Sequence, residues 1–251
     1  MPDKLAGKLA VITGSGGDLG AAQAQLLARR GAHVIVQDLR EDKCDVVTNA
    51  IESEGGSAQA MIGDITDLSW YRAALESLET DMGSIDILIN NAGISGQAAP
   101  FEDVDENFFD RMIAVHVKAS YFGAQAVVPG MKRRKYGKIV NTGSAFAIKG
   151  SPSASHYTTA KGALHGLTKA LALELAPWHI CVNAVAPSLI ETNMTINSVG
   201  KLFIESFAKS VPMGNLASPI DVATVVAFLV SPDSDFITGQ IIATGGGDVI
   251  S

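Results

Sequence analysis

Hydrophobic positions fall along the chain in two alternating rhythms. Short runs rich in β-branched residues, at 8–13 (KLAVIT), 33–38 (HVIVQD), 57–62 (SAQAMI), 85–89 (IDILI), 137–142 (GKIVNT), 180–185 (ICVNAV) and 240–244 (QIIAT), read as strands. Between them, amphipathic stretches near 19–30, 41–54, 68–82, 103–130, 156–176 and 219–230 read as helices. Strands alternating with helices predict βαβ units and a parallel sheet covered on both faces. There is no Pro- or Ser-rich linker and no repeat. Residues 1–251 are therefore expected to form a single doubly wound α/β domain of about seven strands.

Two helical stretches, "ENFFDRMIAVHVKASYFGAQAVVPGM" and "TTAKGALHGLTKALALELA", are apolar around most of their circumference. A helix on a sheet needs one apolar stripe, so the second face asks for a second partner. Deeper wrapping within the domain would satisfy it. A second copy of the chain would too, and a homo-oligomer is the expectation.

Composition acts mainly by exclusion. Hydrophobic residues make up 47%, enough for a large core, and a formal charge of −7 with 19 basic residues disfavours nucleic acid or anionic membranes as partners. The basic run Lys132, Arg133, Arg134 and Lys135 reads as a solvated helix end. The stretch "VATVVAFLV" is too short to span a bilayer. The opening "MPDKLAGKLAVITG" lacks an apolar signal-peptide core, so a soluble, cytoplasmic protein is expected. Cys44 and Cys181 stand alone and the five histidines show no ligand spacing, so neither a disulfide nor a metal site is expected.

Chemistry enters with "TGSGGDLG" at 13–20, a glycine-rich turn between the first strand and the first helix. Free N–H groups and the dipole at a helix N-terminus make such a turn a phosphate cradle. Asp38 ends the second strand, where an acid can bond a ribose 2′-OH. The less favoured alternative is that it only caps the helix at 41–54. Neither Leu39 nor Ser15 offers the cation that a 2′-phosphate would need, which favours NAD over NADP. Tyr157 and Lys161, in "HYTTAK", share a helix face at i and i+4. An ammonium beside a phenol lowers its pKa and makes it a usable acid/base. Ser144, in "VNTGSA", sits at the end of a strand and can hydrogen-bond the reacting oxygen.

With these residues the chain resembles the short-chain dehydrogenase/reductase family over nearly its whole length. "NNAG" at 90–93, "VNAVAPSLIET" and "FITGQIIATGGG" resemble further signatures of that family. The resemblance implies a Rossmann-type fold and Ser144, Tyr157 and Lys161 as the catalytic residues. It implies a cofactor site built from Gly14, Ser15, Gly17, Asp18, Leu19, Gly20, Asp38, Leu39, Asn91, Gly93 and Pro187. Asp64 and Ile65 would flank the adenine, Ile190 and Thr192 would hold the carboxamide, and Tyr157 and Lys161 would face the nicotinamide end. A tetramer is the implied assembly.

Three positions depart from the family pattern. Asp18 replaces the middle glycine of TGxxxGxG. Its carboxylate is expected to turn onto the N-terminus of its own helix, away from the phosphates. Ser188 replaces a glycine and is expected to tighten the loop over the nicotinamide. His116 replaces the asparagine of a catalytic tetrad. It is either a core residue or part of a proton relay that its protonation would interrupt.

The expected activity is NAD-dependent interconversion of a secondary alcohol and its ketone. A lid near 193–214 carries Met194, Ile196, Val199, Leu202, Phe203 and Phe207, which favours an apolar or cyclic substrate. The alternatives are a 3-oxoacyl carrier-protein reductase, disfavoured by Asp38, and a non-catalytic NAD-binding scaffold or sensor.

Overall fold

The structure, a computed structural model, describes residues 4–250. Seven strands, β1 (Leu9–Thr13), β2 (His33–Asp38), β3 (Ser57–Ile62), β4 (Ile87–Asn90), β5 (Gly137–Thr142), β6 (Ile180–Pro187) and β7 (Ile241–Thr244), form one sheet. Its order is β3-β2-β1-β4-β5-β6-β7 and all pairings are parallel. Strand order reverses between β1 and β4, so the carboxyl ends of these strands open a crevice there.

Alternation along the strands divides the core in two. Ala10 and Ile12 of β1, with Ile87 and Ile89 of β4, belong to one apolar cluster. That cluster includes residues from α1 (Asp18–Arg29) and α2 (Glu41–Ser53). Leu9, Val11 and Leu88 belong to the opposite cluster, with Tyr71 and Leu75 of α3 (Leu68–Met82). Burial on both faces is why these strands are continuous apolar runs rather than half-polar ones.

The long helix expected at 103–130 is broken. α4 (Glu106–Ile113) leads into a π-helical turn at Ala114–Lys118, then α5 (Ala119–Arg134). Such π turns widen the backbone and gather at functional sites. Here the turn carries His116, whose carbonyl accepts from the Ser120 hydroxyl at 2.7 Å. α5 passes Pro129 and ends only at Lys135, a left-handed residue with φ 53°. The basic run is therefore a helix end, as expected.

α6 (Phe146–Lys149) and α7 (Ser155–Leu175) follow β5, and α7 carries the tyrosine and lysine. Beyond β6 come α8 (Asn193–Val199), α9 (Lys201–Ser210) and α10 (Pro219–Leu229). α10 packs beside α1 and completes the first face.

Candidate active site

A cleft of about 620 Å³ opens at the carboxyl ends of the strands. Gly14, Gly17, Asp18, Leu19, Gly20, Asp38, Asn91, Gly93, His116, Ser144, Tyr157, Lys161, Pro187, Ile190 and Thr192 all line it. The fold thus gathers most of the residues singled out in the sequence.

Four do not line the cleft. Ser15 is fully buried, its hydroxyl donating to the Ile12 carbonyl at 2.8 Å. Leu39 is largely exposed. The Asp64 carboxylate accepts from the Thr66 N–H and hydroxyl at 2.8 and 2.7 Å. Ile65 is buried in the second core cluster.

The loop is built for close approach. Gly14 has φ +64°, and a Cβ there would lie 2.7 Å from the Ala92 Cα. A Cβ on Gly20 would lie 2.6 Å from the Gly14 carbonyl oxygen. The Asn91 side chain donates to the carbonyls of Thr13 and Gly14 at 3.0 and 3.3 Å, and its buried Oδ1 has no partner among the described residues. Glycines tight against backbone, a helix start and an unsatisfied buried acceptor that a ribose hydroxyl could serve together fit a dinucleotide.

Asp38 does not cap α2, whose N-cap is Arg40. Its carboxylate accepts from the Gly16 N–H and the Arg40 N–H, both at 3.2 Å, and lines the cleft beside the glycine-rich loop. Two cations that the sequence reading passed over, Arg40 and Lys43, also line the cleft. They lie two and five residues beyond Asp38, and that spacing was their signal. Arg40 is held by Asp42 in a fork, with Nε and Nη2 at 3.0 and 2.6 Å.

The expected cap by Asp18 is corrected. Gly17 is the N-cap of α1 and no side chain caps that end. Asp18 is already the first helical residue, so its side chain does not occupy the N-cap position from which an acid reaches the next turn's N–H groups. The carboxylate instead accepts from the Asn193 N–H at 2.6 Å and the Asn193 side-chain amide at 3.1 Å.

At the other end, Ser144 lies two residues past β5 and accepts from the Phe146 N–H at 3.1 Å. Tyr157 is flanked edge-on by His116 and Phe146, with ring centres 5.7 and 6.5 Å away. Burial pushes the Tyr157 phenol up, and its hydrogen bond with Ser144 pulls the other way. Lys161 Nζ donates to the Thr142 carbonyl at 2.7 Å and lies 5.7 Å from the Tyr157 ring centre. Burial lowers its pKa to about 7. Desolvation is the largest influence on both groups and opposes the lowering of the phenol pKa that an ammonium at Lys161 would give.

His116 Nε2 lies 3.1 Å from both the N–H and the carbonyl of Ile94, while its buried Nδ1 has no partner among the described residues. A Cβ on Gly93 would strike this ring at 2.6 Å, so the glycine makes room for it. Burial, then the charge on Lys161, hold the His116 pKa well below its usual value. Both causes favour the neutral imidazole and so work against an interruption by protonation.

Ser188 donates to Asp248, whose carboxylate also receives Lys149 Nζ at 2.6 and 2.7 Å. This explains the replaced glycine, because the hydroxyl ties the loop after β6 to the C-terminal segment. Among the described side chains of the residues named from sequence in 193–214, only Met194 lines the cleft. Leu202 is largely exposed, and Phe203 stacks on Phe207 at 6.2 Å. The Val199 side chain lies outside the described part of the structure.

Comparison with known proteins places this geometry in context. The family model described as Enoyl-(Acyl carrier protein) reductase matches residues 15–248. The 3-oxoacyl-[acyl-carrier-protein] reductase FabG of Thermotoga maritima is 36% identical over 98% of this chain and 100% of its own. The crystal structure of 3-ketoacyl-(acyl-carrier-protein) reductase from Brucella melitensis complexed with NADH superposes with a TM-score of 0.92 and 35% identity. It covers 98% of this chain and 100% of the other. A gluconate 5-dehydrogenase from Burkholderia cenocepacia in complex with NADP and tartrate gives 0.91 at 32%, covering 97% and 95%.

Proposed function

The chain belongs to the short-chain dehydrogenase/reductase family, and from that premise we propose that it interconverts a secondary alcohol and its ketone using NAD(H). The observation that carries this reading is the convergence of Ser144, Tyr157 and Lys161 at one end of a cleft whose other end holds Asp38. Gly14, Gly17, Gly20, Asp38 and Asn91 would hold the adenosine and phosphates, and Pro187, Ile190 and Thr192 the nicotinamide. A nicotinamide cofactor supplies the hydride acceptor in oxidation and the donor in reduction.

The chain's own residues handle the proton. In oxidation Tyr157 takes the proton of the substrate hydroxyl, and in reduction it returns one to the carbonyl oxygen. Ser144 holds that oxygen with a hydrogen bond that strengthens as charge develops. Lys161, with a pKa near neutrality, is suited to pass the proton onward. Ile94, Phe146 and Met194 line the cleft and support a ketone flanked by apolar groups. The segment 193–214 acts as a lid over them. Leu173 of α7, 83% exposed, and the half-exposed Tyr121 of α5 support assembly of copies, with a tetramer the favoured form. No helix among the described residues is long and apolar enough to cross a membrane.

A second reading is reduction of 3-oxoacyl thioesters with NADPH. Arg40 and Lys43 in the cleft favour it, as does the activity named for the Thermotoga relative. The test is nicotinamide absorbance with both cofactors, a panel of secondary alcohols and ketones, and a 3-oxoacyl thioester. Turnover of simple ketones with NADH supports the first reading. Turnover confined to the thioester with NADPH replaces it with the second, and cofactor binding without any turnover would leave a scaffold.

A further inference from the structure

The acid in the cofactor loop caps a helix, but the helix belongs to the lid. Asn193 is the first residue of α8, and its N–H is one of the donors that a helix start leaves unpaired. Thr192 serves the Thr195 N–H at 3.2 Å, and Asp18, 175 residues away in sequence, serves Asn193 through both its N–H and its side-chain amide. Among the described residues, these are the only hydrogen bonds that join 193–210 to the chain outside the flanking residues 192 and 211. Other anchorage is modest: Ile204 is buried, and Lys149 Nζ makes a cation–π contact 5.4 Å from the Phe207 ring centre. Met194, Leu202 and Phe203 are half or more exposed.

Resting on the reading of 193–214 as a lid over a dinucleotide, we propose that Asp18 is a positioning residue that latches the lid to the cofactor loop and sets the rate of cofactor release. Asp18 and Asn193 both line the cleft, one from each side. A dinucleotide seated on the loop leaves by breaking this bridge. A carboxylate acceptor strengthens both bonds, and the α1 dipole offsets its charge. The position that most compromises phosphate binding on charge grounds is thereby given a use. The acid is spent on the lid.

Three variants isolate the latch. Asp18→Ala removes the acceptor. Asn193→Pro removes both donors, and proline is tolerated at the first helical position. Asp18→Asn keeps an acceptor for the Asn193 N–H. Stopped-flow displacement of NADH, or of NADPH if that is the cofactor bound, should show release faster by roughly 3- to 10-fold in Asp18→Ala and in Asn193→Pro. The double variant should release no faster than either single one, because both remove the same bridge. Asp18→Asn should fall between wild type and Asp18→Ala. Amide hydrogen exchange on the free protein should quicken across 193–210 while the sheet stays protected, a readout that needs no cofactor. Unchanged exchange in that segment overturns the latch whichever cofactor binds. Release rates that are unchanged, or that multiply in the double variant, overturn its control of release.

Discussion

Lys161 and Thr142 are joined by a 2.7 Å hydrogen bond from the lysine Nζ to the main-chain carbonyl at the end of β5. The bond fixes the amine inside the site but does not replace its lost hydration, and burial brings its pKa to about 7.

This makes folding stability depend on pH in a definite direction. Below about pH 7 the buried amine is charged and its full desolvation cost is present. Between there and its ordinary value of 10.5 the folded chain releases a proton that the unfolded chain keeps, so the cost fades as pH rises. Lys161→Met removes the cost and should stabilise the protein at pH 6 by a few kcal/mol, on the order of the shift converted at about 1.4 kcal/mol per unit. The gain should shrink steadily towards pH 10. Thermal melts of both proteins at pH 6, 8 and 10 measure this, and a gain independent of pH would contradict it.

The same site was legible from sequence where its spacing is local. Tyr157 and Lys161 needed only the helical repeat, and Asp38 needed only the end of a short apolar strand. Contacts across the chain were not legible. Nothing in "GSGGDLG" says that Asp18 meets Asn193, because side-chain direction at the first helical residue and the course of a distant segment decide it together. The π turn at His116 was hidden for another reason, since a single widened turn barely disturbs apolar periodicity. The helices α8 and α9 were not read from the sequence, and the apolar residues named between 193 and 214 did not show which way they would face. Among the described residues named from sequence in 193–214, only Met194 reached the cleft, while Leu202 went to solvent.

Tyr157→Phe keeps the ring between His116 and Phe146 and deletes the titrating hydroxyl. Cofactor affinity, read by fluorescence quenching, should stay within about twofold, while turnover falls by roughly 10²–10⁴. More than half the activity remaining would remove Tyr157 from the acid/base role.

Cofactor preference should respond to two acids rather than one. On the proposed reading Asp38 would repel a 2′-phosphate, while Asp42 occupies the Arg40 guanidinium that could bind it. Asp38→Ala should narrow the preference for NAD. Adding Asp42→Asn should free Arg40 and raise kcat/KM with NADP by roughly a further tenfold, the scale of one charge-assisted bond. Paired kcat/KM values for both cofactors check this. No gain from the second substitution would mean that Arg40 does not reach the adenosine end.

His116 separates a relay from a pH switch. Its Nε2 is committed to the Ile94 peptide, leaving Nδ1 as the nitrogen free to hold a water. Burial and Lys161 both favour the neutral ring, so its protonation should add no acid limb to the rate. His116→Asn, which can still bridge a peptide N–H and carbonyl, should keep the wild-type shape of the pH–rate profile and most of the activity. His116→Ala frees the Ile94 peptide and removes Nδ1, and should lower kcat by about tenfold or more while KM for the cofactor changes little. Alcohol oxidation followed from pH 5 to 10 in the three proteins is the measurement. An acid limb that disappears in His116→Asn would show that the imidazole titrates in the working range. An alanine variant matching wild type throughout would reduce His116 to a packed core residue.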